Sequence, residues 1–119
     1  MKIAVTSKGK TLDSPVDPRF GRAAYFLIID TDSLEFNVVD NSNNLNAFKG
    51  AGIQAAAAIS DKGVEILLTG FCGPNAFKTL KAANIKVGND ISGTVREAIK
   101  TFMEGKVSFL TEANVDGHW

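Results

Sequence analysis

Val64-Glu65-Ile66-Leu67-Leu68-Thr69-Gly70-Phe71-Cys72-Gly73-Pro74-Asn75-Ala76-Phe77 runs from an apolar strand through a glycine-flanked turn straight into a helix. Pro74 has no backbone N–H and a fixed φ, which suits the first helical position. The helix that starts there offers backbone N–H groups and the positive end of its dipole at the top of a strand. Such a turn receives anions, and Cys72, the single cysteine of the chain, sits at its lip. A strand feeding a helix in this way is half of a parallel crossover, so the fold is read outward from it as α/β.

Upstream, Gly50-Ala51-Gly52 opens the alanine-rich helix Ile53-Gln54-Ala55-Ala56-Ala57-Ala58-Ile59, whose small side chains allow close packing on a sheet. Lys62-Gly63 closes that helix with a cation and a C-terminal glycine. Downstream, a helix over Pro74 to Ala83 stops at Asn84, and Ile85-Lys86-Val87 is a further strand. Thr94-Val95-Arg96-Glu97 is a capping box. Val95, Ala98, Ile99, Phe102 and Met103 follow at helical spacing, and Gly105 ends the helix. Toward the N-terminus, Ile3 to Thr6, Ala24 to Asp30 and Leu34 to Val39 read as three strands. The hairpin-length Thr31-Asp32-Ser33 makes the last two antiparallel. Ser7 to Phe20 and Asn41 to Asn46 are polar loops.

The order β-β-β-α-β-α-β-α predicts a three-layer α/β/α domain on a five-stranded mixed sheet, order 3-2-1-4-5, with strand 2 antiparallel. That arrangement obeys the right-handed crossover rule. Residues 1–105 form the domain; 106–119 have no period and read as a tail, expected to be partly mobile. Strand order changes direction between strands 1 and 4, and ligands of such sheets sit beyond the carboxyl ends of the strands at that point. Four segments are expected to converge there: Ser7 to Lys10, Lys49 to Gly52, Thr69 to Asn75 and Gly88 to Asp90.

Composition narrows the function. The 119 residues carry 13 basic and 13 acidic side chains, net charge +0. A nucleic-acid binder usually has a basic excess to neutralise phosphates, so that class loses weight. Hydrophobic residues make up 45%, enough for a core without disulfide or structural metal. Folding buries roughly two-thirds of the surface of a chain this long. One cysteine makes no internal disulfide, Lys2-Ile3-Ala4-Val5 is not a signal peptide, and no apolar run approaches the roughly 20 residues of a membrane span. The expectation is a cytoplasmic protein with neither membrane nor nucleic acid as partner.

Each candidate residue has a plainer alternative. Cys72 is a ligand for a soft metal or metal–sulfur cluster or a redox thiol, its thiolate favoured by the helix start, or a small apolar residue packed in the turn. Gly70, Gly73, Pro74 and Asn75 donate backbone N–H groups to an anion, or simply make a tight connection. Gly50-Ala51-Gly52 resembles a phosphate-cradling turn but lacks the full nucleotide-binding spacing, so helix packing competes as its reason; Lys49 adds a cation at its mouth. Asp17-Pro18-Arg19-Phe20-Gly21-Arg22 places two guanidinium groups in a loop, for an anion or for pairing with Asp17. Phe20, Phe71 and Phe48 offer apolar contact, and His118-Trp119 either folds over a ligand or ends a loose tail. Metalloprotease, paired-cysteine, EF-hand and Ser-His-Asp patterns are absent. A nuclease of ribonuclease H layout needs a carboxylate on strand 1, where this chain has Ile3-Ala4-Val5-Thr6.

Five segments in order carry a resemblance: Met1-Lys2-Ile3-Ala4-Val5, Asp17-Pro18-Arg19-Phe20-Gly21-Arg22-Ala23, Gly50-Ala51-Gly52-Ile53-Gln54-Ala55-Ala56, Thr69-Gly70 with Gly73-Pro74-Asn75-Ala76-Phe77, and Gly93-Thr94-Val95. Together, over about Met1 to Gly105, the chain resembles the dinitrogenase iron–molybdenum cofactor biosynthesis family, in particular its small stand-alone members. The resemblance implies a ribonuclease H-like fold. It also implies a non-enzymatic role: noncovalent binding or carriage of a molybdenum-containing sulfide cluster, of Mo–Cu or Fe–Mo type, or of a thiomolybdate precursor. Many members have a His where this chain has Arg19, so electrostatic holding replaces His ligation. The residues implied at the cluster are Arg19, Phe20, Arg22, Lys49, Gly50, Gly52, Phe71, Gly73, Pro74 and Asn75, with Cys72 on the metal. A protein partner for cluster transfer or regulation follows from the same reading. The alternative is a non-catalytic regulatory or scaffolding module that binds a protein partner.

Overall fold

The central strands are buried on both faces, and that organises the molecule. In the computed structural model, which describes residues 1–42 and 50–111, β1 (Lys2–Ser7) is buried from Ile3 to Ser7, and β4 (Ile66–Leu68) is buried throughout. Strands covered on both sides read as continuous apolar runs, as these do. β2 (Tyr25–Asp30) lies antiparallel to β1, with Ala4 opposite Ile28 and Val5 opposite Leu27. β3 (Phe36–Asp40) lies antiparallel to β2 and is mostly exposed. β4 and β5 (Lys86–Asn89) continue the sheet in parallel on the other side of β1.

Successive strand residues point to opposite faces. Ala4, Phe26, Ile28, Leu67 and Val87 meet Ala55, Ala56 and Ile59 of α1 (Ala51–Ser60) and Ala76, Phe77 and Leu80 of α2 (Pro74–Ala82). Ile3, Val5, Leu27, Ile29, Ile66 and Leu68 meet Val95, Ala98 and Ile99 of α3 (Val95–Met103). Among the described residues the layers are therefore two helices, sheet, one helix. The capping box forms as expected: Thr94 Oγ1 accepts from the Glu97 N–H at 3.1 Å, and Glu97 Oε1 accepts from the Thr94 N–H at 3.0 Å. Asn84 and Gly105 follow their helices at φ 61° and 72°.

The predicted sheet needs one correction. It has six strands, order β3-β2-β1-β4-β5-β6, because Ser108–Phe109 forms β6 antiparallel to β5. Two exposed residues are too few to show an alternating pattern, so 106–119 read as tail. Lys62 is also misjudged as a last-turn cation, since α1 ends at Ser60 with Asp61 as its C-cap. No helix among the described residues is long and apolar enough to cross a membrane.

Candidate functional site

Every parallel strand of this sheet ends on the same side, and the site is built there. At the junction of β1 and β4, the Thr6 hydroxyl lies 2.5 Å from the Asp17 carbonyl and 3.0 Å from the Thr69 hydroxyl, all buried. This pair of threonines pins the Asp17–Arg22 loop to the strand ends. The loop is then stitched to the β4–α2 turn: the Phe71 N–H donates to the Pro18 carbonyl at 2.7 Å, and the Phe20 N–H donates to the Phe71 carbonyl at 3.2 Å. Gly70 is required by this approach, for a Cβ there would stand 2.8 Å from the Pro18 oxygen, a backbone atom with little freedom to yield.

The start of α1 joins them. A Cβ on Gly21 would stand 2.9 Å from the Gly52 nitrogen, and a Cβ on Gly52 would stand 2.8 Å from the Ala76 Cβ. The Arg-bearing loop, the first turn of α1 and the first turn of α2 are thus packed backbone to backbone. The N-caps of both helices are glycines, Gly50 and Gly73, with no side-chain cap hydrogen bond and no acidic residue in the first turn among the described residues. α3, whose N-terminus is closed by Thr94 and Glu97, is the contrast. A helix start without carboxylate or hydroxyl cap leaves its donors and dipole available to an outside anion.

The expected convergence holds in part. Gly88 to Asp90 does meet the β4–α2 turn, with the Thr69 N–H donating to the Gly88 carbonyl at 3.0 Å and the Ile91 N–H to the Thr69 carbonyl at 3.2 Å. Ser7 to Lys10 goes elsewhere: the Lys8 N–H bonds the Pro15 carbonyl, and the same loop receives the Val95 and Arg96 N–H groups at the start of α3. Lys49 and Phe48 lie outside the described residues, as do His118 and Trp119.

The individual side chains separate into supports and surface groups. Phe20 is fully buried, its ring 5.5 Å from that of Phe26, so it anchors the loop in the core. Phe71 and Arg22 are half-buried; Pro74, Asn75 and Arg19 are exposed. Arg19 Nε lies 3.8 Å from the buried Asp17 carboxylate, which also accepts the Arg19 N–H at 3.1 Å, so the pairing alternative is realised at Arg19. Cys72 is enclosed in the turn. It has no exposed surface, it lies 3.7 Å from the Gly73 carbonyl, and burial pushes its thiol up to about 12 rather than the helix start drawing it down. Desolvation of the thiolate outweighs the dipole here.

Asn41, which as sequence is one polar loop residue among several, has a structural part in the site. Its buried carboxamide donates to the Ala23 carbonyl at 2.8 Å and the Gly21 carbonyl at 3.3 Å. The clue lay in strand pairing: β3 runs antiparallel to β2, so the residue after Asp40 falls beside the one before Tyr25, where the Arg-bearing loop ends.

Among the described residues no group of three or more His, Cys, Asp or Glu stands together. What the site offers is amide donors, guanidinium groups and apolar surface.

Known proteins share this fold. The orange protein from Desulfovibrio gigas, solved in its apo form, is 45% identical and superposes with a TM-score of 0.94 over 96% of both chains. A candidate NifB protein from Thermotoga is 43% identical, TM-score 0.83, covering 96% of this chain and 97% of its own. An uncharacterized protein of Methanocaldococcus jannaschii is 30% identical over 110 residues, 90% of this chain and 89% of that one. The sequence model for the dinitrogenase iron-molybdenum cofactor family matches residues 1–105, and the chain belongs to that family.

Proposed function

We propose that this protein holds an anionic molybdenum-, iron- or copper-containing sulfide cluster, or its thiomolybdate precursor, noncovalently at the joined starts of α1 and α2. The observation that carries the reading is the pairing of two glycine-capped helix starts, neither bearing a carboxylate, under a loop with two arginines. Family membership and the likeness to the orange protein support it. The cluster is cargo rather than a catalytic group. It brings its own sulfide ligands, so the chain need not supply a ligand set.

The residues divide the work. Backbone N–H groups of Gly50 to Gly52 and of Gly73 to Asn75 meet the anion; Pro74, having no N–H, only shapes the turn. Arg19 and Arg22 add diffuse positive charge suited to a large polarisable anion. Phe71 covers apolar cluster surface, and Lys49 adds a further cation. Cys72, protonated and enclosed, shapes the turn from below, and metal ligation by it would require the turn to open. We place the protein in the cytoplasm, where a lone thiol stays reduced.

The test is anaerobic mixing of the apo-protein with tetrathiomolybdate, alone and with copper or iron, followed by desalting and visible spectroscopy. A chromophore co-eluting with protein at fixed metal stoichiometry is the expected result. No retained metal in any arm would overturn the reading in favour of a protein-binding module.

A further inference from the structure

We propose that Asn41 is the positioning residue of this site: its carboxamide fixes the Gly21–Ala23 segment, and through that segment sets where Arg22 stands relative to the start of α1. The inference rests on the cluster-holding reading for its binding consequence, but its structural half stands alone. Asn41 Nδ2 donates to the carbonyls on either side of Arg22, at 3.3 Å to Gly21 and 2.8 Å to Ala23. The Asn41 N–H adds a third bond, to the Ala24 carbonyl at 3.0 Å. The side chain is 3% exposed, so these contacts form away from competing water.

The geometry explains why an amide is needed. The two acceptors are carbonyls that point at one spot, and satisfying both takes two N–H groups on a single nitrogen. Aspartate has the same shape but presents an acceptor, and serine is too short and has one O–H. Gly21, held from one side by Asn41, rests on the other side against the backbone of Ala51 and Gly52. The Arg22 backbone is therefore bracketed between the end of β3 and the start of α1, which narrows the positions it can take. Preorganisation of this kind raises affinity by lowering the ordering cost of binding.

A double-mutant cycle separates this role from a general loss of stability. Tetrathiomolybdate binding is measured for the full chain, Arg22→Ala, Asn41→Ala and the double variant, across a range of salt. Positioning through Arg22 predicts that Asn41→Ala weakens binding and flattens its salt dependence, as Arg22→Ala does, and that the double variant binds no worse than Arg22→Ala. Additive losses, or a salt dependence untouched by Asn41→Ala, would overturn the proposal. Asn41→Ser carries the same cycle if the alanine variant does not fold.

Amide hydrogen exchange on the apo-protein supplies an answer independent of the cluster. With the carboxamide bonds gone, the Ala23 amide, which donates to the Phe20 carbonyl at 3.4 Å, should exchange about tenfold faster while the β1 and β4 amides keep their rates. Unchanged exchange at Ala23 would also overturn it. If the wild-type chain binds no tetrathiomolybdate, the cluster reading falls and the exchange result alone decides whether Asn41 holds the loop.

Discussion

Replacing Gly52 by alanine tests the packing that brings the two helix starts together. The new Cβ would stand 2.8 Å from the Ala76 Cβ, short of the 3.4 Å at which ordinary contact begins. Both atoms sit on helix backbones, so the first turns of α1 and α2 must part. Overpacking of this sort costs about 1–3 kcal/mol. Alanine in place of a helical glycine returns at most about 1 kcal/mol. The net expectation for Gly52→Ala is destabilisation by about 1 kcal/mol, or roughly 4 °C in Tm for a domain of this size. Ala76→Gly alone loses a buried methyl and gains a helical glycine, costing about 1.5–2 kcal/mol together. Combining the two moves one methyl across the interface: propensities cancel, the clash disappears, and the double variant should return to within about 0.5 kcal/mol of wild type. Urea denaturation of the four proteins gives all terms of the cycle. Additivity, with the double variant destabilised by the sum of the single changes, would refute the claim that Gly52 and Ala76 form the contact that sets helix spacing. Tetrathiomolybdate retention should follow the same pattern, falling in Gly52→Ala and recovering in the pair.

Further outcomes follow from individual groups. Arg19→Ala with Arg22→Ala should lower tetrathiomolybdate affinity about tenfold, as removal of two partly exposed cations implies, and equal retention after gel filtration would count against the electrostatic account. Cys72 should resist alkylation by iodoacetamide at pH 8 in the folded protein and react promptly in urea, because burial keeps the thiol protonated; fast native labelling would show the turn to be open. Glu97 is held below its ordinary pKa chiefly by the Thr94 backbone N–H, then by the Thr94 side chain, so its contribution to stability is present above about pH 4.5 and lost as pH falls through the lowered folded value. Glu97→Gln should remove that part of the acid sensitivity, and identical pH–stability curves for the two proteins would argue against the capping carboxylate.

Much of the fold could be read from connections alone. A short link between strands 2 and 3, expected over Thr31 to Ser33 and running from Thr31 to Glu35 in the structure, forces a hairpin, and helices after strands 3 and 4 force crossovers; those constraints give the order β3-β2-β1-β4-β5. β6 escaped because two exposed residues carry no period. The site was legible where a motif marks a backbone event, as Gly73-Pro74 does for the start of α2. It was illegible where the outcome depends on depth. Phe20 and Cys72 lie in the core, because burial is decided by how the loop folds down onto Phe26 and the strand ends. Asn41 acts across 18 and 20 residues of sequence, and nothing local separates it from the asparagines that follow.

The Arg-bearing loop has a consequence for how the protein is made. Pro18 bonds Phe71, Gly21 rests on Gly52, and Asn41 reaches back to Ala23, so the loop is completed only by segments far downstream. Contacts of such long span form late, after the chain has paid for loop closure. A ribosome must therefore release residues through the first turn of α2 before the early arginines acquire their final setting. A truncated or half-folded chain lacks the joined loop and helix starts altogether.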